Sequence, residues 1–204
     1  MNAAAPDLAA WRSVPRLSGR HASLEPLQAI HAPELRAALE GSGLDALWYT
    51  SAPAPERVDA YVGGVLEAQV AGRVLPFVVR DAAGTVVGTT RFYGLDQHVP
   101  RLLIGYTWYA PRVQRTGVNT ECKLLLLGHA FDAMGCACVG FETSWFNFRS
   151  RAAIARLGAR QDGVLRSSAR HADGSLRDTV VFSILDTEWP AVRRNLQSRL
   201  DAHP

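Results

Sequence analysis

A polar run before the most strongly patterned helix of this sequence combines the features of an anion-binding site. The run spans residues 110–117, contains Arg112 and Arg115, and leads into a helix predicted to begin at Val118. The first backbone N–H groups of a helix lack intrahelical partners, and the helix dipole adds partial positive charge there. Gly117 would let a phosphate approach the backbone closely. The segment predicts a site that fits a pyrophosphate, although an ordinary helix start explains these residues alone at least as well.

The other residue types that often carry chemistry show no comparable arrangement. The three cysteines, Cys122, Cys136 and Cys138, include a Cys-x-Cys pair that matches neither a zinc knuckle nor a redox motif. Reduced, buried thiols are the simpler interpretation. The six histidines have no spacing typical of metal ligands. We therefore expect no metal.

Length and composition indicate one ordinary globular domain. The chain has 204 residues, of which 48% are hydrophobic and 20% charged. The net charge is +3, but basic residues alternate with acidic ones instead of forming a stripe, so no nucleic-acid partner is expected. No segment reaches the roughly 18 apolar residues of a membrane helix, and the first residues lack a signal-peptide pattern. A cytoplasmic protein without a membrane partner is expected.

Apolar periodicity and turn residues predict helices and strands that alternate along most of the chain. The predicted elements are a strand at 21–27, helices at 33–40 and 55–71, strands at 74–80, 86–93 and 102–109, a helix at 118–134, a strand at 138–143, a helix at 149–157, strands at 163–169 and 176–185, and a C-terminal helix with Trp189, Val192, Leu196 and Leu200 on one face. Three consecutive strands with short connections favour antiparallel pairing. The order predicts an α/β (α+β) fold, a mixed and mostly antiparallel twisted sheet with helices on both faces.

The domain boundary is expected near residue 20. Residues 1–20 are rich in alanine, proline and polar groups, which is typical of a flexible N-terminal tail. Residues 21–204 contain no linker and no internal repeat. They are predicted to form a single domain that ends in the C-terminal helix.

The helix-start motif resembles a known signature. Gln114-x-x-Gly117-x-Asn119 is similar to the acetyl-CoA motif of the GNAT superfamily of N-acetyltransferases, which has Gln or Arg, two variable residues, Gly, one variable residue, then Gly or Ala. Asn119 departs from that pattern, although asparagine tolerates left-handed and capping conformations. The departure puts one backbone contact to a pyrophosphate in question.

Further segments resemble the ribosomal-protein-acetylating (Rim-type) branch of that superfamily. Ile104-Gly105-Tyr106 looks like its central strand, and Asn147-Phe148-Arg149-Ser150 looks like its Asn-x-x-Ser helix start. The segments 153–159, 163–166 and 178–185 are similar to the helix and closing strands that follow. The resemblance covers residues 21 to 188 and implies the GNAT fold.

The resemblance implies acetyl-CoA as cosubstrate and an amine as acceptor. In GNAT enzymes the central strand diverges from its neighbour, and the pantetheine arm of the coenzyme lies in the gap. The coenzyme-binding residues carried over by the resemblance are Trp108, Tyr109, Gln114, Arg115, Thr116, Gly117, Val118, Asn119 and Asn147. Sheet packing is an equally open interpretation for the two aromatic side chains.

Direct transfer requires a proton donor for the leaving thiolate and an acceptor for the amine proton. The resemblance places Ser150 as the donor, whereas an ordinary helix start would have Asn147 as its cap and Ser150 in the first turn. The branch carries a glutamate where this sequence has Ala169. Glu142 is the first alternative base, and Asp178 and His171 follow, although a structural role is the simpler interpretation for each.

The acceptor is predicted only as a primary amine: a protein N-terminus, an amino acid or a small amine. Trp48, Tyr49, Trp145 and Phe146 favour a closed pocket for a small molecule. A second hypothesis is a catalytically weak GNAT-like module that binds acyl-CoA or a partner protein, as Asn119 and the missing glutamate suggest. The superfamily often forms dimers, so a homodimer stays open.

Overall fold

The computed structural model describes residues 8–202, and these contain one eight-stranded sheet. The strands are β1 (Leu17–Ser18), β2 (Ala22–Pro26), β3 (Val74–Asp81), β4 (Val86–Asp96), β5 (Arg101–Tyr109), β6 (Cys138–Ser144), β7 (Arg160–Arg170) and β8 (Leu176–Leu185). Their spatial order is β1-β2-β3-β4-β5-β6-β8-β7, and every neighbouring pair is antiparallel except β5–β6. The helices are α1 (Ala32–Leu39), α2 (Val58–Val70), α3 (Gly117–Gly128), α4 (Phe148–Leu157) and α5 (Trp189–Asp201).

Helices cover both faces of the sheet. On β4, the Arg91 guanidinium lies over the ring of Tyr61 in α2, whereas Thr90 contacts Lys123 of α3. Neighbouring residues of a strand point to opposite faces, so α2 and α3 pack on opposite sides. The predicted fold class, a mixed and mostly antiparallel sheet between helices, is confirmed.

The longest predicted helix divides into two parts. Helix α3 begins at an N-cap, Thr116, whose side chain accepts a hydrogen bond from the Val118 N–H. It ends at Gly128 and continues as a π-helical turn at His129–Ala133. That turn brings Phe131 into a stack with Trp189, with ring centroids 5.4 Å apart. The prediction of one regular helix over 118–134 was wrong in its last turn, since π turns carry no simple sequence period.

The two central strands separate after a short parallel pairing. Register partners join β5 and β6 only at Arg101–Cys138, Leu102–Val139 and Leu103–Gly140. At that point a side chain on Gly140 would collide with Leu103, because a Cβ there would lie 2.4 Å from the leucine Cδ2. Beyond Leu103 no described strand pairs with β5 on its β6 side. A cleft therefore opens between the carboxyl-terminal halves of β5 and β6.

The beginning of the described chain folds onto the core. A 3₁₀ turn spans Leu8–Trp11, and the Trp11 side chain is only 4% exposed. Its Nε1 donates a hydrogen bond of 2.9 Å to the Met134 carbonyl. Residues 8–20, which the sequence assigns to a flexible tail, are thus attached to the core by the burial of one indole. Residues 1–7 of that prediction lie outside the described residues.

We infer that residues 8–202 form a single domain, because one continuous sheet runs through them. No helix in this part of the chain has the length and apolar character needed to span a membrane.

Candidate active site

The loop between β5 and α3 presents unpaired backbone amides at the mouth of the cleft. A 3₁₀ turn at Pro111–Val113 leads to Arg115, which adopts a left-handed conformation with φ 64°. This turn of the chain precedes the extended N-cap, Thr116. Within residues 8–202 the N–H groups of Arg115, Thr116 and Gly117 have no protein acceptor. Three consecutive free donors at a helix start form a cradle for an anion.

Side-chain hydrogen bonds hold this loop in place. Gln114 Nε2 donates to the Tyr109 carbonyl at 3.1 Å, and Thr116 Oγ1 donates to the Val113 carbonyl at 2.7 Å. Of the two predicted arginines, Arg112 is engaged in an ion pair with Asp81 at 2.6 Å. The other predicted arginine, Arg115, is exposed and forms no ion pair in the described part of the chain. Arg115 is therefore the one available to an anion.

The first turn of α3 is anchored to the β1–β2 turn by Glu121. The buried Glu121 carboxylate accepts hydrogen bonds from three successive backbone N–H groups, those of Arg20 (2.9 Å), His21 and Ala22 (2.6 Å). Gly19 leaves room for this arrangement, because a Cβ there would lie 2.2 Å from the Glu121 Cδ. No sequence pattern indicated this contact, since its partners lie about a hundred residues apart.

Gly117 is required by packing as well as by its position in the motif. The His21 ring lies against its backbone, and a Cβ at Gly117 would approach the His21 Cγ to 2.8 Å. The predicted reason for this glycine was the approach of a phosphate. The structure adds a second reason within the protein itself.

The two reasons can be separated by a double-mutant cycle. Gly117→Ala is expected to lower the free energy of unfolding by about 1 to 3 kcal/mol through overpacking, and His21→Ala in the same chain is expected to restore most of it. Chemical denaturation measures both. If calorimetry shows that acetyl-CoA affinity also returns in the double variant, Gly117 serves packing alone; a persistent loss means that the coenzyme needs the bare backbone.

The last residues of β5 contribute backbone, not side chains, to the cleft. Trp108 is buried, and Tyr109 packs against Cys122 of α3, where burial raises the pKa of the tyrosine well above its ordinary value. Both side chains therefore fill the interior, as the sheet-packing interpretation held. The backbone of both residues borders the cleft, along the edge of β5 with which no described strand pairs.

Asn147 and Ser150 meet at the start of α4. Asn147 is the N-cap, and its Oδ1 accepts a hydrogen bond of 3.0 Å from the Ser150 N–H. The Ser150 side chain is partly exposed, and its hydroxyl has no partner among the described residues. The capping interpretation is thus correct for Asn147, and it leaves both the asparagine NH2 group and the serine hydroxyl free.

The three alternative bases occupy different environments. Glu142 is exposed on β6 and forms no ion pair within residues 8–202. Asp178 is paired with Arg166 at 2.6 Å, and the hydrogen bond from the Ser167 N–H lowers its pKa. His171 is buried against Trp48, with ring centroids 4.6 Å apart. Among these candidates Glu142 is the carboxylate without a protein partner.

Aromatic residues from distant segments form a wall beside the cleft. The Trp48 ring lies 5.4 Å from Phe146, 4.6 Å from His171 and 5.6 Å from Tyr49, all centroid to centroid. We call these four residues the aromatic wall. Trp145, predicted with them, instead lies under the Arg151 guanidinium at 4.3 Å. The segment between α1 and α2 thereby reaches the end of β6.

Register places a further set of polar residues on one face of the sheet. Tyr93 pairs with Leu103, Leu103 with Gly140, and Glu142 with Val181. Paired residues share a face, and so do Gly140 and Glu142, which lie two residues apart on β6. Tyr93 and Glu142 therefore lie on the same side of the sheet. No sequence motif had marked Tyr93, whereas its neighbour Tyr106 belongs to the segment that resembles the central strand; the two rings meet edge to face at 5.1 Å.

Tyr106 also marks an irregularity in β5. It has a left-handed φ of 52°, and the register with β4 shifts between Thr89 and Arg91. Such a bulge bends a strand, and it lies where β5 leaves β6. The Arg91 guanidinium lies 3.5 Å over the Tyr106 ring, which adds a cation–π contact at this bend.

No group of three or more His, Cys, Asp or Glu side chains within residues 8–202 is arranged to hold a metal ion.

The chain belongs to the acetyltransferase (GNAT) domain family, because residues 21–160 match that family's model. The curated relative named "Putative ribosomal N-acetyltransferase YdaF", from Bacillus subtilis (strain 168), is 30% identical over 106 residues, which cover 52% of this chain and 57% of the relative. The chain thus matches a little over half of that relative's length. The predicted GNAT family is confirmed, and the likeness to this relative agrees with the predicted Rim-type branch.

Solved structures agree with the fold. A GCN5-related N-acetyltransferase from Brucella melitensis is 30% identical, with a TM-score of 0.83 over 92% of this chain and 86% of that chain. Mycobacterium smegmatis RimJ in complex with CoA-disulfide is 22% identical, with a TM-score of 0.77 over 93% and 96% of the two chains. The second likeness concerns the fold alone. The predicted GNAT fold is confirmed.

Proposed function

We propose that the protein transfers an acetyl group from acetyl-CoA to a primary amine by direct attack of the amine on the thioester. The observation that carries this proposal is the cleft between β5 and β6, which opens beyond Leu103 beside the free amides of residues 115–117. A diphosphate requires such donors, and an extended pantetheine arm requires an unpaired strand edge. Both features lie on the same strand-to-helix connection.

Several groups support the binding of the coenzyme. The N–H groups of Arg115, Thr116 and Gly117, supplemented by the Arg115 guanidinium, would hold the diphosphate. Of the remaining predicted residues, Gln114 bonds the end of β5 and Val118 packs in the core, while Asn119 is partly exposed in the first turn of α3. The backbone of Trp108 and Tyr109 and the free NH2 group of Asn147 would face the pantetheine amides.

The reaction forms one C–N bond and breaks one C–S bond. The amine nitrogen adds to the thioester carbonyl carbon, the tetrahedral intermediate expels the CoA thiolate, and the amine loses one proton. Ser150 would donate a proton to the thiolate, since its hydroxyl has no protein partner, and would regain one through water, so that overall one proton moves from the amine to the thiol. Glu142 would accept the amine proton, directly or through water, because its carboxylate is exposed and unpaired. Asp178 suits this role less, since its ion pair and lowered pKa make it a weaker base.

The acceptor is proposed as a class. The aromatic wall supports a small amine or amino acid, and the name of the curated relative supports the inclusion of ribosomal proteins among the acceptors tested. A screen of amines and N-terminal peptides with acetyl-CoA, read as release of free thiol, tests the proposal. Turnover of any acceptor supports it. Acetyl-CoA binding without turnover of any acceptor would favour the acyl-CoA-binding module instead.

Ser150→Ala is expected to lower kcat by about 100-fold, the usual contribution of a positioned acid, with little change in the KM for acetyl-CoA. Steady-state thiol release on the best acceptor of the screen measures both constants. Ser198→Ala, an exposed serine in α5, is the matched control and should keep the wild-type rate. An unchanged rate in Ser150→Ala would show that another group protonates the thiolate.

A further inference from the structure

An arginine without a partner lies on the face of the sheet that carries Glu142. Arg177 and Val181 lie four residues apart on β8, and Val181 is the register partner of Glu142. Side chains alternate along a strand, so Arg177 shares a face with Glu142 and, through the register of β4 to β6, with Tyr93. We call the surface defined by Tyr93, Glu142 and Arg177 the open face.

The open face is the less covered side of the sheet at β6 and β8. On the opposite side, Val180, Phe182 and Ile184 are fully or almost fully buried. Val181 and Ser183, on the open face, are partly exposed. The floor beside the cleft is therefore accessible in the part of the protein where the acceptor amine must enter.

Arg177 lacks a counter-ion within residues 8–202. It forms no ion pair and no side-chain hydrogen bond there, and its Nε is buried without a partner. Its cross-strand neighbour on β7 is Ala169, which offers no acceptor. A buried guanidinium N–H without an acceptor is unfavourable unless a ligand supplies one.

Arg177 differs in this respect from Arg166, another arginine of the β7–β8 hairpin. Arg166 of the same hairpin is 81% exposed and is already paired with Asp178. Because Asp178 directly follows Arg177 on β8, that pair lies on the opposite face. The hairpin therefore presents one satisfied arginine away from the open face and one unsatisfied arginine towards it.

The aromatic wall stands at the same end of the open face. His171 follows the last residue of β7, Arg170, which pairs with Leu176 immediately before Arg177. Phe146 follows the end of β6, where Ser144 pairs with Thr179. A molecule that lies on the open face beside Arg177 would thus be bounded by aromatic rings on one side and by the cleft on the other.

We propose that the acceptor carries an anionic group, carboxylate or phosphate, which Arg177 binds while the aromatic wall packs against the rest of the molecule. The inference rests on the proposed acetyl transfer. It narrows the acceptor from any amine to an amine that bears a negative charge. Guanidinium groups bind both kinds of anion through charge-assisted hydrogen bonds.

Paired acceptors test this inference. Each amine with an anionic group is compared with a counterpart that lacks one: L-phenylalanine with its amide, phosphoethanolamine with ethanolamine, and the dipeptide amide Ala-Asp-NH2 with Ala-Asn-NH2. Thiol release gives kcat/KM for each. We expect at least one anionic member to exceed its neutral partner by about tenfold or more, as a charged hydrogen bond provides. The amino acid and dipeptide pairs report a carboxylate, and the aminoalkyl pair a phosphate.

Three variants assign the preference to a residue. Arg177→Gln is expected to remove the advantage of the anionic member, a loss of about 10- to 100-fold in its kcat/KM, and to leave the neutral member unchanged. Arg177→Lys, which keeps the charge without the planar guanidinium, is expected to retain part of the advantage. Arg166→Gln removes the same charge from the other face of the hairpin and should leave both acceptors unchanged. Thermal melts establish that each variant is folded.

The two proposals fail in different ways. Turnover of neutral and anionic amines at equal rates, or an equal loss for both in Arg177→Gln, would overturn the inference and leave acetyl transfer intact. Absence of thiol release with every acceptor would overturn the proposed function. In that event equilibrium binding of the same acids decides the role of Arg177: weaker binding to Arg177→Gln than to wild type supports it, and equal binding overturns it.

Discussion

Replacement of Glu121 by alanine is expected to lower the free energy of unfolding by about 3 to 5 kcal/mol, one of the largest single effects in this chain. The substitution removes the acceptor of three backbone N–H groups in the β1–β2 turn. An unmade hydrogen bond at a shielded donor costs about 1 to 3 kcal/mol, and the three losses are not fully additive because the turn can relax. Urea denaturation at neutral pH measures the effect.

The same substitution should weaken coenzyme binding without touching the coenzyme. Glu121 fixes the turn that holds His21 against Gly117, and Gly117 begins the helix whose amides form the anion cradle. Glu67→Ala, at an exposed position of α2, removes the same side chain where it makes no such contacts and should change the stability by less than about 0.5 kcal/mol. Equal effects in Glu121→Ala and Glu67→Ala would show that the hydrogen bonds of Glu121 to the β1–β2 turn contribute nothing to stability or coenzyme binding.

Replacement of Lys123 by methionine is expected to stabilise the protein at neutral pH by about 2 to 3 kcal/mol. Lys123 is buried, and no carboxylate is paired with its ammonium in the described part of the chain; its Nζ donates to Thr107 Oγ1 at 2.9 Å. Burial lowers the pKa of this lysine from 10.5 to about 8. A shift of that size corresponds to about 3 kcal/mol against the charged form, and methionine fills a similar volume without a charge.

The sign of the pH dependence follows from the direction of the shift. Below about pH 8 both folded and unfolded chains carry the proton, so the full cost of the buried charge is present. Between about pH 8 and pH 10.5 the unfolded state binds more protons, and wild-type stability rises relative to Lys123→Met. Denaturation of both proteins at pH 7 and pH 10 should show the gap narrowing. A gap that stays constant with pH would mean that the lysine is not desolvated.

Sequence patterns predicted the elements whose signals are local. The strands β3 to β5 and helices α1, α2 and α4 lie within a few residues of their predicted bounds, because turn residues such as Gly84 and the start of α4 at Asn147 are read directly from the chain. The predicted strand at 163–169 is in fact β7, Arg160–Arg170. Its early residues carry no apolar alternation, since both sides of this edge strand are largely exposed.

What the sequence missed depends on contacts between distant residues. The start of α3 was predicted from its motif. The hydrogen bonds of Glu121 to the β1–β2 turn and the His21–Gly117 contact, however, join segments far apart in the chain. No sequence pattern indicated the burial of Lys123, and lysine is rarely buried. The open face required the register of four strands, and one bulge in β7 is enough to reverse the side on which a residue lies.

The decisive experiment is a crystal structure of the protein with acetyl-CoA. Diphosphate oxygens are expected about 3 Å from the backbone nitrogens of Arg115, Thr116 and Gly117, with the pantetheine arm along β5 beyond Leu103. A diphosphate bound elsewhere, or one held off these amides by the Asn119 side chain, would contradict this expectation.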